Sequence, residues 1–284
     1  MSAISAPRTT TLPSGERIPI LGQGTWHLAE DPGRRAEEID ALRLGINLGM
    51  TLIDTAEMYA DGGAEELVGE AIEGRRNEVF LVSKVLPQNA TRRGTIAACE
   101  RSLRRLGVDE IDLYLLHWRS GIALDETLDG FDRLIDAGKI RYWGVSNFDV
   151  DDMQELVDLP GGEKAATDQV LYNLARRGIE HDLLPWCRQS GLPIIAYSPI
   201  EQGRLLPHPV LSAVAARHPG ATPAQVALAW VLRQDGVCAI PQASKLEHVH
   251  ENREALNIQF ASSDLADLDR AFPPPRGKQP LAML

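Results

Sequence analysis

The sequence predicts an α/β fold, a (β/α)8 TIM barrel with an N-terminal β-hairpin closing the bottom, and three observations carry the prediction. Eight short apolar runs, rich in Val, Ile and Leu, alternate with helical stretches along the 284 residues. Gly49, Gly107 and Gly138 each follow a helical stretch, where a left-handed residue commonly ends a helix. Three successive strands end on or beside an ionisable residue, Asp54, Lys84 and His117. A solvated edge explains one such residue, but three in succession point to chemistry at one mouth of a barrel. An open doubly wound sheet is the alternative built from the same alternation. No linker, composition shift or low-complexity segment divides the chain, so 1–284 reads as one domain.

In order along the chain, residues 9–19 read as the hairpin, because Leu12-Pro-Ser-Gly15 supplies turn residues between two extended pieces. Residues 20–26 are the first barrel strand and 33–48 its helix. Residues 52–54 are the second strand, followed by a helix over 64–72 with Leu67, Val68, Ala71 and Ile72 on one face and acids on the other. The third strand, 79–83, stops at Lys84, and the next helix, 91–106, spaces Ile96, Cys99, Leu103 and Leu106 helically. Residues 111–116 lead to His117 and then to a helix over 125–137. Strands follow at 140–145, 165–170, 193–197 and 237–240, with helices at 182–189, 222–234 and 246–255. The stretches 200–209 and beyond Phe272 read as irregular.

A net charge of −11 disfavours nucleic acid and anionic membranes as partners. No apolar run approaches the roughly 18 residues of a membrane span, and the N-terminus lacks a leader's apolar region, so a cytoplasmic location is expected. Cys99, Cys187 and Cys238 are widely spaced, without a CxxC pair, and read as small buried hydrophobes. No feature points to an obligate interface, so a monomer is expected.

Gly22-Gln-Gly24 suggests a dinucleotide fingerprint, but His27 stands where its third glycine belongs, and that reading is rejected. The seven histidines are scattered, so no metal site is expected. What remains is the set at the strand ends. A phenol titrates near 10, so a proton-transferring Tyr59 needs a neighbour that stabilises its phenolate. Lys84 suits that role if Asp54 fixes it, and His117 suits orienting a substrate carbonyl. A buried Asp54–Lys84 ion pair beside a structural tyrosine and histidine is the competing reading.

Several motifs together change that balance: Gly22-Gln-Gly-Thr-Trp26, Asp54-Thr-Ala-Glu-Met-Tyr59, Ser83-Lys84, Leu115-Leu-His-Trp118, Gly144-Val-Ser-Asn-Phe148, Gln169, Ala196-Tyr-Ser-Pro199, Ile240-Pro241 and Glu251-Asn252. In this set the chain resembles the aldo-keto reductases along nearly its whole length, and most closely a compact bacterial branch linked with methylglyoxal and other small aldehydes. The resemblance implies a barrel that holds NADPH across the C-terminal mouth of its strands. Tyr59 would be the general acid, Lys84 would lower its pKa, Asp54 would hold Lys84, and His117 would orient the carbonyl. Gly24, Thr25 and Trp26 would border the cofactor. Ser146, Asn147 and Gln169 would bond the nicotinamide carboxamide, and Tyr197 would stack on its ring. Ser198, Ile200, Gln202 and Gly203 would line the pyrophosphate, and Ser244, Lys245, Glu251 and Asn252 would surround the adenosine end. The implied reaction is reduction of small aldehydes and ketones, including methylglyoxal. A cofactor-binding regulatory barrel and a Schiff-base aldolase using Lys84 are the alternatives.

Two departures stand out. Members that prefer NADPH often carry a lysine directly after the Ile-Pro of the eighth strand and an arginine six residues further. Here those positions are Gln242 and His248, which leaves NADH open as a cofactor. The segments after Trp118 and Phe272 are short, so a shallow substrate pocket built from Trp26, Met58, Tyr59, His117 and Trp118 is expected.

Overall fold

The computed structural model describes residues 8–284. Residues 1–7, on which the reading of a leaderless N-terminus rests, lie outside the described residues. Strands β1 (Thr9–Thr11) and β2 (Arg17–Pro19) form the antiparallel hairpin. Gly15, at φ +89°, makes the tight turn between them. Leu12 and Ile18 are fully buried among Leu52, Phe80, Val82, Leu113 and Ile195. Leu52 and Phe80 open their strands, so the hairpin plugs the N-terminal end of the barrel, as expected.

The barrel consists of β3 (Gln23–Gly24), β4 (Leu52–Asp54), β5 (Phe80–Val85), β6 (Ile111–Leu116), β7 (Ile140–Ser146), β8 (Asp168–Leu171), β9 (Ile194–Tyr197) and β10 (Val237–Ala239), in that sequential order and all parallel. Parallel bridges from Leu21 to Ala239 and from Gly24 to Gln242 join the first strand to the last. The sheet therefore curls back on itself, which the doubly wound alternative does not do. At this seam a Cβ on Gly24 would stand 2.7 Å from the Ile240 carbonyl oxygen. Gly24→Ala is expected to destabilise the barrel by about 1–3 kcal/mol, seen as a lowered thermal midpoint.

The outer layer is α1 (Arg35–Asn47), α2 (Gly63–Ala71), α3 (Arg92–Leu106), α4 (Leu124–Asp136), α5 (Val150–Asp158), α6 (Leu183–Gln189), α7 (Pro209–Ala215), α8 (Pro223–Leu232), α9 (Leu246–Glu254) and α10 (Ser262–Ala271). Local chemistry sets several boundaries. Thr91 caps α3 through the Gly94 N–H, and Gly107, left-handed at φ +64°, ends it. Thr222 and Gln225 form a capping box ahead of α8, with Pro223 in the first turn. Among the described residues no helix is long and apolar enough to cross a membrane.

The structure departs from the sequence reading in four places. The first barrel strand is two residues long, and its pairing with β4 closes at Thr25, whose N–H and hydroxyl both donate to the Asp54 carbonyl at 3.0 Å. The third strand runs past Lys84 to Val85, so Lys84 lies inside β5. Helices α5, α7 and α10 were not anticipated, and α7 begins inside a stretch read as irregular. Glu65 of α2 faces inward rather than outward. It is fully buried, accepting from the Ser83 hydroxyl at 2.6 Å and from Arg105 Nε at 2.7 Å.

Candidate active site

Strand direction places one end of every barrel strand at the same mouth, and the ionisable residues of β4, β5 and β6 meet there. Lys84 is fully buried, and its ammonium donates to Asp54 Oδ1 at 2.6 Å, to the Thr55 carbonyl at 2.9 Å and to the Tyr59 hydroxyl at 3.2 Å. All three N–H groups are therefore engaged. The second Asp54 oxygen accepts from Gln169 Nε2 at 2.7 Å. The ring of His117, the residue just after β6, stands edge-on to Tyr59 with centroids 5.8 Å apart. Asp54, Tyr59, Lys84 and His117 thus form one cluster.

Electrostatics give each member a state. Burial pushes the Asp54 carboxyl upward, while the Lys84 charge and the bonds from Lys84 and Gln169 oppose the rise. Burial works downward on the Lys84 ammonium, but Asp54 and Tyr59 hold it above its ordinary value. With two N–H donors on the carboxylate, we take the pair as ionised at neutral pH. Tyr59 ends above its ordinary value, because burial raises it by more than Lys84 lowers it. Lys84 thus works downward on the Tyr59 phenol, through its charge and its hydrogen bond, but burial outweighs it. Burial, and then the Lys84 charge, push His117 down to about 2, so its imidazole is neutral. Its buried Nδ1 has no hydrogen-bond partner among the described residues.

The backbone that presents Tyr59 is unusual. Ala60, Asp61 and Gly62 are all left-handed, at φ 48°, 53° and 93°. Such strain persists where surrounding contacts overdetermine it. Glu57, two residues before the phenol, supplies contacts of that kind: its buried carboxylate accepts from the Leu86 N–H and Asn89 Nδ2, both at 2.9 Å, and from Arg101 at 3.1 Å. Glu57 lies inside the motif that contains Tyr59, yet its identity alone did not mark it.

Above the cluster opens a cavity of ≈ 600 Å³. Gly24, Thr25, Trp26, Met58, Trp118, Ser146, Asn147, Gln169, Tyr197, Ser198, Ile200, Gln202 and Gly203 all line it, together with Asp54, Tyr59 and His117. The structure adds His27, Pro199, Ile240, Pro241, Gln242 and His248, and also Met283 and Leu284 from the tail, which folds back to the cavity. Ser244, Lys245, Glu251 and Asn252 stand outside this lining. Glu251 already accepts the Thr222 hydroxyl, and Asn252 is buried.

The polar residues at the centre of the cavity are bonded to one another. Ser146 Oγ donates to the Gln169 carbonyl at 2.8 Å, and Asn147 Nδ2 reaches the His117 carbonyl at 3.1 Å and Ser146 Oγ at 3.2 Å. The Tyr197 hydroxyl donates to Asn147 Oδ1 at 2.9 Å. Asn147 is left-handed at φ 60° and is not a helix cap; Asp149 caps α5 instead. Ser198, Glu201, Gln202 and Gly203 are also left-handed. The buried Glu201 carboxylate holds that turn through Asn173 at 2.7 Å and Arg176 at 2.9 Å.

A family model described as "Aldo/keto reductase family" matches residues 20–272. The chain is 55% identical to methylglyoxal reductase YeaE of Escherichia coli, over 94% of this chain and 95% of that protein. It is 35% identical to glyoxal reductase of Bacillus subtilis, over 92% and 91% of the two chains. A crystal structure of an aldo/keto reductase from Klebsiella pneumoniae, in complex with NADP and acetate, superposes with a TM-score of 0.94 at 51% identity, covering 98% of this chain and all of that one. The barrel, the cluster at its mouth and these likenesses agree: the chain belongs to the aldo/keto reductase family of oxidoreductases.

Proposed function

We propose that this protein is an NADPH-dependent reductase of small aldehydes and ketones, including 2-oxoaldehydes such as methylglyoxal, built as a single barrel domain. The observation that carries the proposal is the buried hydrogen-bond chain from Asp54 through Lys84 to the Tyr59 hydroxyl at the cavity wall. The similarity to a methylglyoxal reductase and a glyoxal reductase supports the substrate class.

The residues present fit a nicotinamide dinucleotide. The cavity is long enough to be lined by residues following β3, β6, β9 and β10, and an amide-rich cluster of Ser146, Asn147 and Gln169 sits where a carboxamide finds partners. The left-handed turn from Ser198 to Gly203 lies after the ninth strand in chain order, on the side where barrels commonly bind phosphate. NADPH, when bound, supplies a hydride to the carbonyl carbon.

The chain's own residues do the rest. Tyr59 gives its hydroxyl proton to the carbonyl oxygen, and Lys84 stabilises the phenolate left behind. Asp54 keeps Lys84 charged and in place, with Gln169 bracing the carboxylate. Neutral His117 offers a hydrogen bond to the same oxygen, and Trp26, Met58 and Trp118 shape an apolar pocket around the substrate carbon chain. We assign Gln169 and Asn147 a bracing duty as well as contact with the cofactor, since their amides already bond Asp54, His117 and Ser146. An aldolase role for Lys84 is disfavoured, because its amine is fully buried with every N–H engaged.

The pH dependence follows. Reduction requires the protonated phenol, which is held above its ordinary value near 10. The kcat/KM for reduction should stay level from mildly acidic to mildly alkaline pH and fall only as Tyr59 loses its proton. His117, titrating at about 2, should add no limb near 6.5. A pH–rate profile checks this, and an acid limb near 6.5 that disappears in His117→Asn would contradict the neutral imidazole. The functional proposal itself is tested by NADPH consumption with methylglyoxal, where absence of turnover despite cofactor binding would favour the regulatory reading.

A further inference from the structure

We propose that Glu57 and Glu65 are positioning residues for the reaction: from two sides they clamp the loop that carries Tyr59 onto strand β5, and so hold the phenol within hydrogen-bond reach of Lys84. The inference rests on the general-acid role given to Tyr59 above. Lys84 lies inside β5, whose ladders with β4 and β6 fix its position. No ladder fixes Tyr59, which lies past the end of β4 and is followed by the left-handed residues Ala60, Asp61 and Gly62. A loop of that conformation needs to be held from outside if its phenol is to meet the lysine.

The residues on either side of Lys84 supply the attachment points. Successive side chains of a strand point to opposite faces, so with Lys84 directed into the barrel, Ser83 points outward to the helices. There its hydroxyl donates to Glu65 Oε1 at 2.6 Å, in the first turn of α2, directly after the left-handed run. Beyond Lys84, the Leu86 N–H donates to Glu57 Oε1 at 2.9 Å, and Asn89 Nδ2 joins it at 2.9 Å. Glu57 precedes Tyr59 and Glu65 follows it, so the two carboxylates tie both sides of the phenol's loop to the segments that flank the lysine.

Helix α3 backs both arms of the clamp. Arg101 Nη2 donates to Glu57 Oε2 at 3.1 Å and Arg105 Nε to Glu65 Oε2 at 2.7 Å. The two arginines lie one turn apart on the same face of α3. A Cβ on Gly62 would stand 2.5 Å from Arg105 Nε, so the left-handed run itself packs against the second arginine. Both carboxylates are buried, Glu65 completely, so their charge-assisted bonds are sheltered from water. Neither glutamate lines the cavity, so neither touches substrate or cofactor. Ion pairs that served stability alone would have no reason to converge on the two segments whose separation sets the 3.2 Å contact between Lys84 and Tyr59.

The test measures methylglyoxal turnover per titrated NADPH site in the wild type, Glu57→Ala, Glu57→Gln and Glu65→Gln, together with the NADPH dissociation constant and the solvent deuterium isotope effect on kcat. Counting sites by NADPH removes unfolded protein from the rate, so a loss of fold alone moves neither kcat nor the isotope effect. In Glu57→Ala and Glu65→Gln, kcat is expected to fall about 10- to 100-fold, since a small misplacement of a reacting group costs that much. Glutamine at position 57 keeps an oxygen for the Leu86 N–H, so Glu57→Gln should fold and recover part of the loss. NADPH affinity should stay within about twofold of the wild type. The isotope effect should rise, because a misplaced phenol slows the proton transfer. Should Glu57→Ala fail to fold, the two glutamine variants decide the matter by the same readouts. Unchanged kcat and isotope effect in the folded variants would overturn the clamp, as would equal losses of kcat and NADPH affinity; both leave the role of Tyr59 standing, because the wild type still turns over. No turnover by the wild type would overturn the role of Tyr59, and this inference with it.

Discussion

Tyr59→Phe is expected to lower kcat/KM for methylglyoxal reduction by about a hundredfold to ten-thousandfold while cofactor affinity stays near that of the wild type. The substitution removes one oxygen and nothing else from the pocket wall. Lys84 loses its 3.2 Å partner but keeps Asp54 and the Thr55 carbonyl, so the buried pair stays satisfied. Stability should fall by only about 1 kcal/mol, the ordinary net worth of one hydrogen bond. Steady-state rates beside a thermal melt separate chemistry from folding. Turnover that survives in the variant would show that the proton comes from elsewhere, and His117 would be the next group to examine.

Lys84→Met is expected to damage both catalysis and the fold. It leaves the Asp54 carboxylate, 2% exposed, without its counter-charge. Breaking a buried pair from one side costs about 3–5 kcal/mol. The phenolate of Tyr59 would also lose the cation that stabilises it, so reduction should fall about as far as in Tyr59→Phe. The double variant Asp54→Asn/Lys84→Met removes the stranded charge and should regain much of the stability without regaining activity. Denaturant midpoints and initial rates on the three proteins check this. If the double variant were no more stable than Lys84→Met alone, the cost would come from lost packing rather than from the uncompensated carboxylate.

What could be read from the chain divides along physical lines. Strands β4, β6 and β9 are short, mostly apolar runs with a sharp end, so the sequence shows their positions, and with them Asp54 and His117. Helices α3 and α8 carry side-chain caps that mark their starts. Helix α5 buries only Met153 and Leu156 on an acidic nine-residue segment, too little periodicity to stand out. Helix α7 starts at Pro209 behind a histidine cap, a combination that reads equally well as a turn.

At the site, residue types revealed the participants but not all their partners. Nothing in a motif shows that Gln169 will grip Asp54, since 115 positions separate them and barrel closure alone brings them together. The Thr55 carbonyl is a backbone atom and leaves no mark in side-chain identity. The left-handed backbone at Ala60 and Ser198 falls on residue types that seldom adopt it, so their identity gives no warning of the turn. The direction of the Tyr59 shift likewise depends on how burial competes with Lys84, a balance only the folded cluster reveals.

The most direct test of direct hydride transfer to a carbonyl at this mouth is isotope transfer. NADPH deuterated at nicotinamide C4 is incubated with methylglyoxal and the enzyme, and the alcohol product is examined by mass spectrometry and NMR. One deuterium per turnover on the carbinol carbon, with none exchanged to solvent, is the expected result. A product that carries only solvent hydrogen at that carbon would contradict hydride transfer, and with it the arrangement of Tyr59, Lys84, Asp54 and His117 around a bound nicotinamide.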